Sequence, residues 1–341
     1  MKKLMYYIFI VCGGLWFTTA CESGGFLDET ETTDLDQQTV FSDSTYTTAF
    51  LTDIYTGIGF DTELGRFSSG GPQTATDEAE PKKLANITTD IQFATGTVNP
   101  VVISSDAWRE PYKYIRKVNV LLANIDGAPL TEARKNRYVA EARFLRAWYY
   151  SILLKHYGGV PLIGDSIYVY EDDIPATRNT YEECVNYIIS ECDAAAPFLP
   201  NKFSGRDYGR VGAGSCRALK ARVLLFAASP LFNGSNFASE MPELKPLVGY
   251  ESYDLNRWKL ARDAAQSVIA MGSYGLYVDN NEEAGRGFYR LFAAADWAQS
   301  GANMGTIIEK MNGKGRGREI LFQPPSRNGN GRGGFPYQEL V

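Results

Sequence analysis

His156 is the one histidine in a chain of 341 residues. Ser-His-Asp and Cys-His catalysis, and metal sites built on several imidazoles, are therefore excluded unless other residue types stand in. Asp77-Glu78 is the carboxylate pair that could imitate a glycosidase centre, but adjacent residues cannot easily flank one glycosidic bond from two sides. Gly209-Arg210-Val211-Gly212-Ala213-Gly214 is rich in glycine yet lacks the preceding strand and the Lys-Ser/Thr ending of a phosphate loop, so it reads as a turn before a helix. Cys184, Cys192 and Cys216 show no C-x-x-C spacing. The first two stand eight apart on one helix, about 12 Å at 1.5 Å per residue, too far to bridge. No catalytic residue, metal or cofactor is expected. What the chain has in quantity is aromatic rings, 18 Phe, 21 Tyr and 5 Trp, which supply core but also sugar-stacking and interface surface.

The net charge of −6 argues against wholesale binding to nucleic acid, despite Lys314, Arg316, Arg318, Arg327 and Arg332 among C-terminal glycines. The charge is uneven: residues 22–100 carry 14 acidic and 3 basic side chains. A solvated acidic face accounts for this, as does an acidic leader following a membrane anchor.

The N-terminus supplies such an anchor. Met1-Lys2-Lys3 is a positive start, and the apolar run Leu4–Phe17 is shorter than the about 20 residues a membrane span needs. Thr18-Thr19-Ala20-Cys21 then places a small residue before a cysteine, as in a bacterial lipobox, although Thr18 stands where Leu is usual. Residues 1–20 are read as a lipoprotein signal peptide and Cys21 as the lipidated residue.

The mature chain shows helical periodicity. A first helix is expected over Ser44–Gly57, with Phe50, Leu51, Ile54, Tyr55 and Ile58 on one stripe. A second runs over Asp106–Asn124, its inward stripe taking in Trp108, Tyr112, Ile115 and Leu122. Thr131 caps a third, which ends near Tyr157 at Gly158-Gly159 with Ala142, Leu145, Tyr149 and Ile152 inward. Thr180-Tyr181-Glu182-Glu183 is a capping box for a helix to about Ala196. Ser215–Ala228 follows, and Asp254 caps a last helix with Trp258, Ala261, Ala265, Val268 and Ile269 inward. Helix starts near 106, 180 and 254 suggest loose helix-turn-helix repeats. The fold class is mainly α: helical hairpins of tetratricopeptide-like type, with long loops and a few short extended segments (Tyr274–Val278, Glu319–Gln323). Glu141, Arg143 and Arg146 are read as a helix-to-helix ion-pair network, and His156 as a helix-end imidazole suited to the dipole.

Three segments then carry a family resemblance: Trp108-x3-Tyr112-x2-Ile115-x3-Asn119; Glu141-Ala142-Arg143-Phe144-Leu145-Arg146-Ala147 running to Tyr157-Gly158-Gly159-Val160-Pro161-Leu162; and Arg178-Asn179-Thr180-Tyr181. Leu199-Pro200, Gly209-Arg210, Trp258-x2-Ala261 and Glu319-Ile320-Leu321-Phe322 continue it in order. With the leader, the chain resembles the SusD/RagB family of nutrient-binding outer-membrane lipoproteins of Bacteroidetes. The resemblance implies residues 21–230 as the N-terminal region and 231–341 as the start of a longer C-terminal region. It implies a surface protein that binds a glycan or other nutrient and passes it to a SusC-like TonB-dependent transporter. A helical-repeat scaffold that binds only protein is the alternative, followed by a glycoside hydrolase. Because the family continues beyond Val341, the expectation is a truncated member with an apolar strip exposed near Phe226, Ala265 or Ile269.

Helix-stripe aromatics should be spent in the core, which leaves those on loops for a ligand. Phe67, Phe93 and Asn99 before the second helix, and Tyr289 and Trp297 in the 281–300 insertion, are the expected contacts. Trp108, at an amphipathic position, is expected in the core and not as a sugar platform.

Overall fold

A computed structural model describes residues 36–62, 76, 92–93, 95–99, 101, 106–169, 171–174, 177–204, 207–234 and 238–274. Cys21, Phe67, Tyr289, Trp297, Glu319–Gln323 and residues 281–341 as a whole lie outside them. Two compact units are distinguished, Met1–Val40 and Phe41–Val341. Of the first, only Asp36–Val40 is described, where Asp36 Oδ1 accepts a hydrogen bond from Thr39 N at 2.7 Å.

The helices are α1 (Gln37–Ser42), α2 (Ser44–Tyr55), α3 (Arg109–Asn124), α4 (Glu132–Tyr157), α5 (Tyr181–Ala195), α6 (Ala213–Ala228), α7 (Lys245–Val248) and α8 (Asn256–Ala270). Among the described residues there is no β-strand, and an isolated bridge joins Asn233 to Tyr250. In the second unit α3 packs on α4, α4 on α5, α5 on α6 and α6 on α8, while α2 lies against α3 and α4. This succession of hairpins is the expected mainly helical architecture.

Local chemistry sets the helix ends. Asp43 Oδ1 accepts from Thr45 N and Tyr46 N to cap α2. At α5 both halves of the Thr180–Glu183 capping box are formed. Helix α4 contains neither Gly nor Pro and stops at Gly158, whose φ of +71° suits a residue without Cβ. Its middle is buried around the whole circumference: Tyr138, Phe144, Leu145, Tyr149, Tyr150 and Leu153 are fully enclosed. It forms the core against which α2, α3, α5 and α6 are laid.

Several expectations shift. The first helix ends at Tyr55, α3 begins at Arg109, and α6 begins at Ala213. Leu255 occupies the N-cap of α8, and Asp254 Oδ1 accepts from Asn256 N at 2.8 Å. Trp108 is not in the core: it precedes the first turn of α3 and is 39% exposed, because a residue there lies outside the helix's inward stripe. On α8, Ala261, Ala264 and Val268 are buried, whereas Trp258, Ala265 and Ile269 are exposed. A residue is turned about 100° from its neighbour on a helix, and among the described residues the small contact line of α8 faces α6. Phe226 is exposed too, so the strip expected near Phe226, Ala265 and Ile269 is present. The three cysteines at 184, 192 and 216 are free and buried.

Candidate functional site at the Trp108 groove

The chain leaving α4 forms a strap, residues 158–169, that is pinned almost residue by residue to the helices beside it. Arg178 donates to the carbonyls of Gly159 and Tyr157 at 2.7 and 2.6 Å. Tyr112 Oη donates to Pro161 O at 2.7 Å, and Leu162 N donates to Asn179 Oδ1 at 3.0 Å. Ile163 N donates to Tyr150 Oη at 2.9 Å. Asn119 Nδ2 donates to Gly164 O and Ser166 O at 2.9 and 2.8 Å, and Arg116 Nη1 donates to Tyr168 O. Tyr112, Asn119, Gly159, Arg178 and Asn179, all from the segments that carry the family resemblance, thus share one physical task, which is to fix the strap. Gly159 is required there because a Cβ would stand 2.0 Å from Asn179 O.

Two buried ion-pair clusters set the helices that hold this arrangement. In the first, Arg146, 2% exposed, donates from Nε to Glu191 Oε2 at 2.8 Å. Its Nη1 donates to Asn119 Oδ1 at 2.9 Å, Gly164 O at 3.2 Å and Asp165 Oδ1 at 2.5 Å. Burial by itself would lower the pKa of this guanidinium; the hydrogen bond and charge of Glu191 outweigh it and raise the pKa. In the second, Glu141 is fully buried and accepts from Tyr55 Oη at 2.6 Å and Arg210 Nη1 at 2.8 Å. Arg137 Nε stands 3.0 Å from Glu141 Oε1, an ion-pair approach without hydrogen-bond geometry, so neither atom has a hydrogen-bond partner. Burial first, and then the Glu141 charge, raises the Tyr55 pKa well above that of a free phenol. The network expected around Glu141, Arg143 and Arg146 is therefore present, with Arg143 Nη1 at 3.7 Å from Glu191.

Between α3 and the strap opens a groove of about 600 Å³, lined by Trp108, Tyr112, Arg116, Ser166, Tyr168 and Ile174 among others. Asp106 Oδ1 accepts from Trp108 N and Arg109 N at 3.0 and 3.2 Å, which fixes the entry to α3. The Trp108 ring is braced by Tyr112, centroids 5.1 Å apart and tilted, and by Tyr157, 5.2 Å apart and edge-on. Tyr112 and Asn119 are consumed in holding the strap.

Of the contacts expected on loops, Phe93 is 38% exposed and Asn99 is exposed, with its Oδ1 accepting from Val101 N. Exposure of Trp108, and the presence of Arg116, Ser166 and Tyr168 beside it, are not marked in the sequence. The Asp106–Trp108 spacing is the only signal that could have moved Trp108 off the helix stripe.

The fold and the site together define a scaffold of helical hairpins bearing an aromatic groove. The profile of the SusD-like family described as starch-binding and associating with the outer membrane matches residues 25–225, and the chain belongs to that family. It is 24% identical over 153 residues to SusD-like protein P25 of Formosa agariphila, covering 45% of this chain and 28% of P25. The solved protein BT4246 matches with a TM-score of 0.57 and 26% identity, covering 70% of this chain and 42% of BT4246. A SusD superfamily protein from Parabacteroides distasonis, 20% identical with a TM-score of 0.50 over 68% of this chain and 46% of its own, shares the fold. The chain thus spans less than half the length of each of these relatives.

Proposed function

We propose that the chain belongs to a surface-exposed lipoprotein that binds a nutrient glycan and delivers it to a SusC-like TonB-dependent transporter in the outer membrane. The family match over residues 25–225 carries this reading. The apolar leader ending at Ala20-Cys21 supports attachment through lipid on Cys21, since two or three acyl chains together anchor a protein stably. The protein works by binding, with no bond broken. Phe67, Phe93, Asn99, Tyr289 and Trp297 are the loop residues proposed to touch the ligand. Exposure of Phe93 and Asn99 is compatible with that role.

The test has two arms. Cells expressing the full chain are labelled with palmitate and fractionated; label and membrane association are expected to disappear in Cys21→Ala and to persist in Cys12→Ala. The purified protein is titrated with oligosaccharides of defined linkage. Lipid remaining on Cys21→Ala refutes the anchor, and absence of saccharide binding refutes the ligand class.

A further inference from the structure

We infer that the groove between α3 and the strap is a saccharide subsite in its own right, in which Trp108 is the stacking platform for a pyranose ring. The inference rests on the glycan-binding reading and assigns it a place the loop residues do not include.

Three observations lead to it. Trp108 is 39% exposed although it stands beside Tyr112 and Tyr157, so its ring is held in place without being covered. Val169 and Ile174, also in the lining, are 53% and 47% exposed, which adds apolar surface to the groove. Hydroxyl-matching groups stand among the lining: the Ser166 hydroxyl, the Tyr168 phenol, and those guanidinium N–H groups of Arg116 not given to Tyr168 O.

These are the two demands a pyranose makes. Its ring presents axial C–H groups to a flat aromatic face, and its equatorial rim presents hydroxyls that both donate and accept. Ser and Tyr hydroxyls answer in either sense, whereas a guanidinium only donates. The groove volume falls within the about 300–1,000 Å³ of small-ligand sites. An apolar peptide side chain could use the apolar surface but would leave the hydroxyls and Arg116 unanswered. The strap is also pinned from Pro161 to Tyr168, so the wall is preformed and little ordering is needed on binding.

The test titrates the purified protein, by calorimetry, with hexasaccharides of glucose, mannose, galactose and xylose series, and with N-acetyl-tryptophan amide as the apolar competitor. Trp108→Ala and Arg116→Ala are compared with Trp108→Phe and with Phe93→Ala, after circular dichroism has shown unchanged helix content. The expected result is a hexasaccharide affinity weakened about tenfold or more in Trp108→Ala, about 1.4 kcal/mol, and largely restored in Trp108→Phe. Arg116→Ala, whose side chain lies at the surface, provides the same reading if Trp108→Ala does not fold. Saccharide binding that is unchanged in both Trp108→Ala and Arg116→Ala overturns the subsite and leaves the glycan-binding reading standing. Binding of no saccharide overturns both. Binding of the tryptophan amide alone, lost in Trp108→Ala, overturns the saccharide assignment.

Discussion

Replacing Arg146 with methionine should cost more than any surface change in this protein, and the structure says why. The guanidinium is 2% exposed and serves Glu191, Asn119, Gly164 and Asp165 together. Methionine fills much of the same volume but answers none of them. Among the described residues Glu191, itself 6% exposed, would keep only Arg143 at 3.7 Å as an ion-pair partner, and Asn119 Oδ1 would lose its Arg146 donor. Removing one member of a buried ion pair costs about 3–5 kcal/mol, because an uncompensated charge stays behind. For a domain of 150–250 residues, about 2–4 °C of melting temperature goes with each kcal/mol, so the midpoint should fall by about 6–20 °C. Urea denaturation followed by circular dichroism gives the free-energy change, provided the m-value is unchanged. The double variant Arg146→Met with Glu191→Leu should recover most of the loss, since it removes both charges. Asp165→Ala should cost under about 1 kcal/mol, because Asp165 is 80% exposed. A loss below about 1 kcal/mol in Arg146→Met, or no recovery in the double variant, would show that the cluster does not set the helix packing.

Gly159→Ala should destabilise by about 1–3 kcal/mol, because the new methyl meets backbone atoms of Asn179, Thr180 and Tyr181 that cannot turn aside. Gly127→Ala, with nothing within 4 Å, is the control and should be close to neutral in the same urea titration. The Glu183 carboxyl is held below its ordinary value, first by the Thr180 backbone N–H and then by the Asn179 and Thr180 side chains. A lowered folded-state pKa means that its contribution is complete above the usual carboxylate range and is lost as pH falls through the folded value. Protection factors at the start of α5, taken relative to the intrinsic exchange rate at each pH, should therefore fall on acidification in the wild type, and Glu183→Gln should flatten that profile; identical profiles would contradict the assignment.

The helical character of the chain, the capping box at Thr180 and the burial of Ala142, Leu145, Tyr149 and Ile152 follow from local rules and periodicity, which sequence records directly. The ion-pair role of Glu141 and Arg146 was legible for the same reason: charges at helical spacing beside an apolar stripe must find partners across an interface. Their partners Tyr55, Arg210, Glu191 and Asp165 lie between 19 and 86 positions away in the chain, so only packing could name them. The groove was hidden by the same distance. Trp108, Arg116 and Tyr168 come together because the strap folds back over α3, and Trp108 escapes the core because α3 starts one residue after it. Periodicity assigns a residue to a face of a helix; it cannot say whether the helix has begun or whether another element covers that face. On α8 this decided Trp258 and Ile269 as well, where Ala261 and Ala264 pack on Leu224 and Ala228 of α6. Sequence fixes propensity and pattern residue by residue, while exposure is a property of the whole packed assembly of helices.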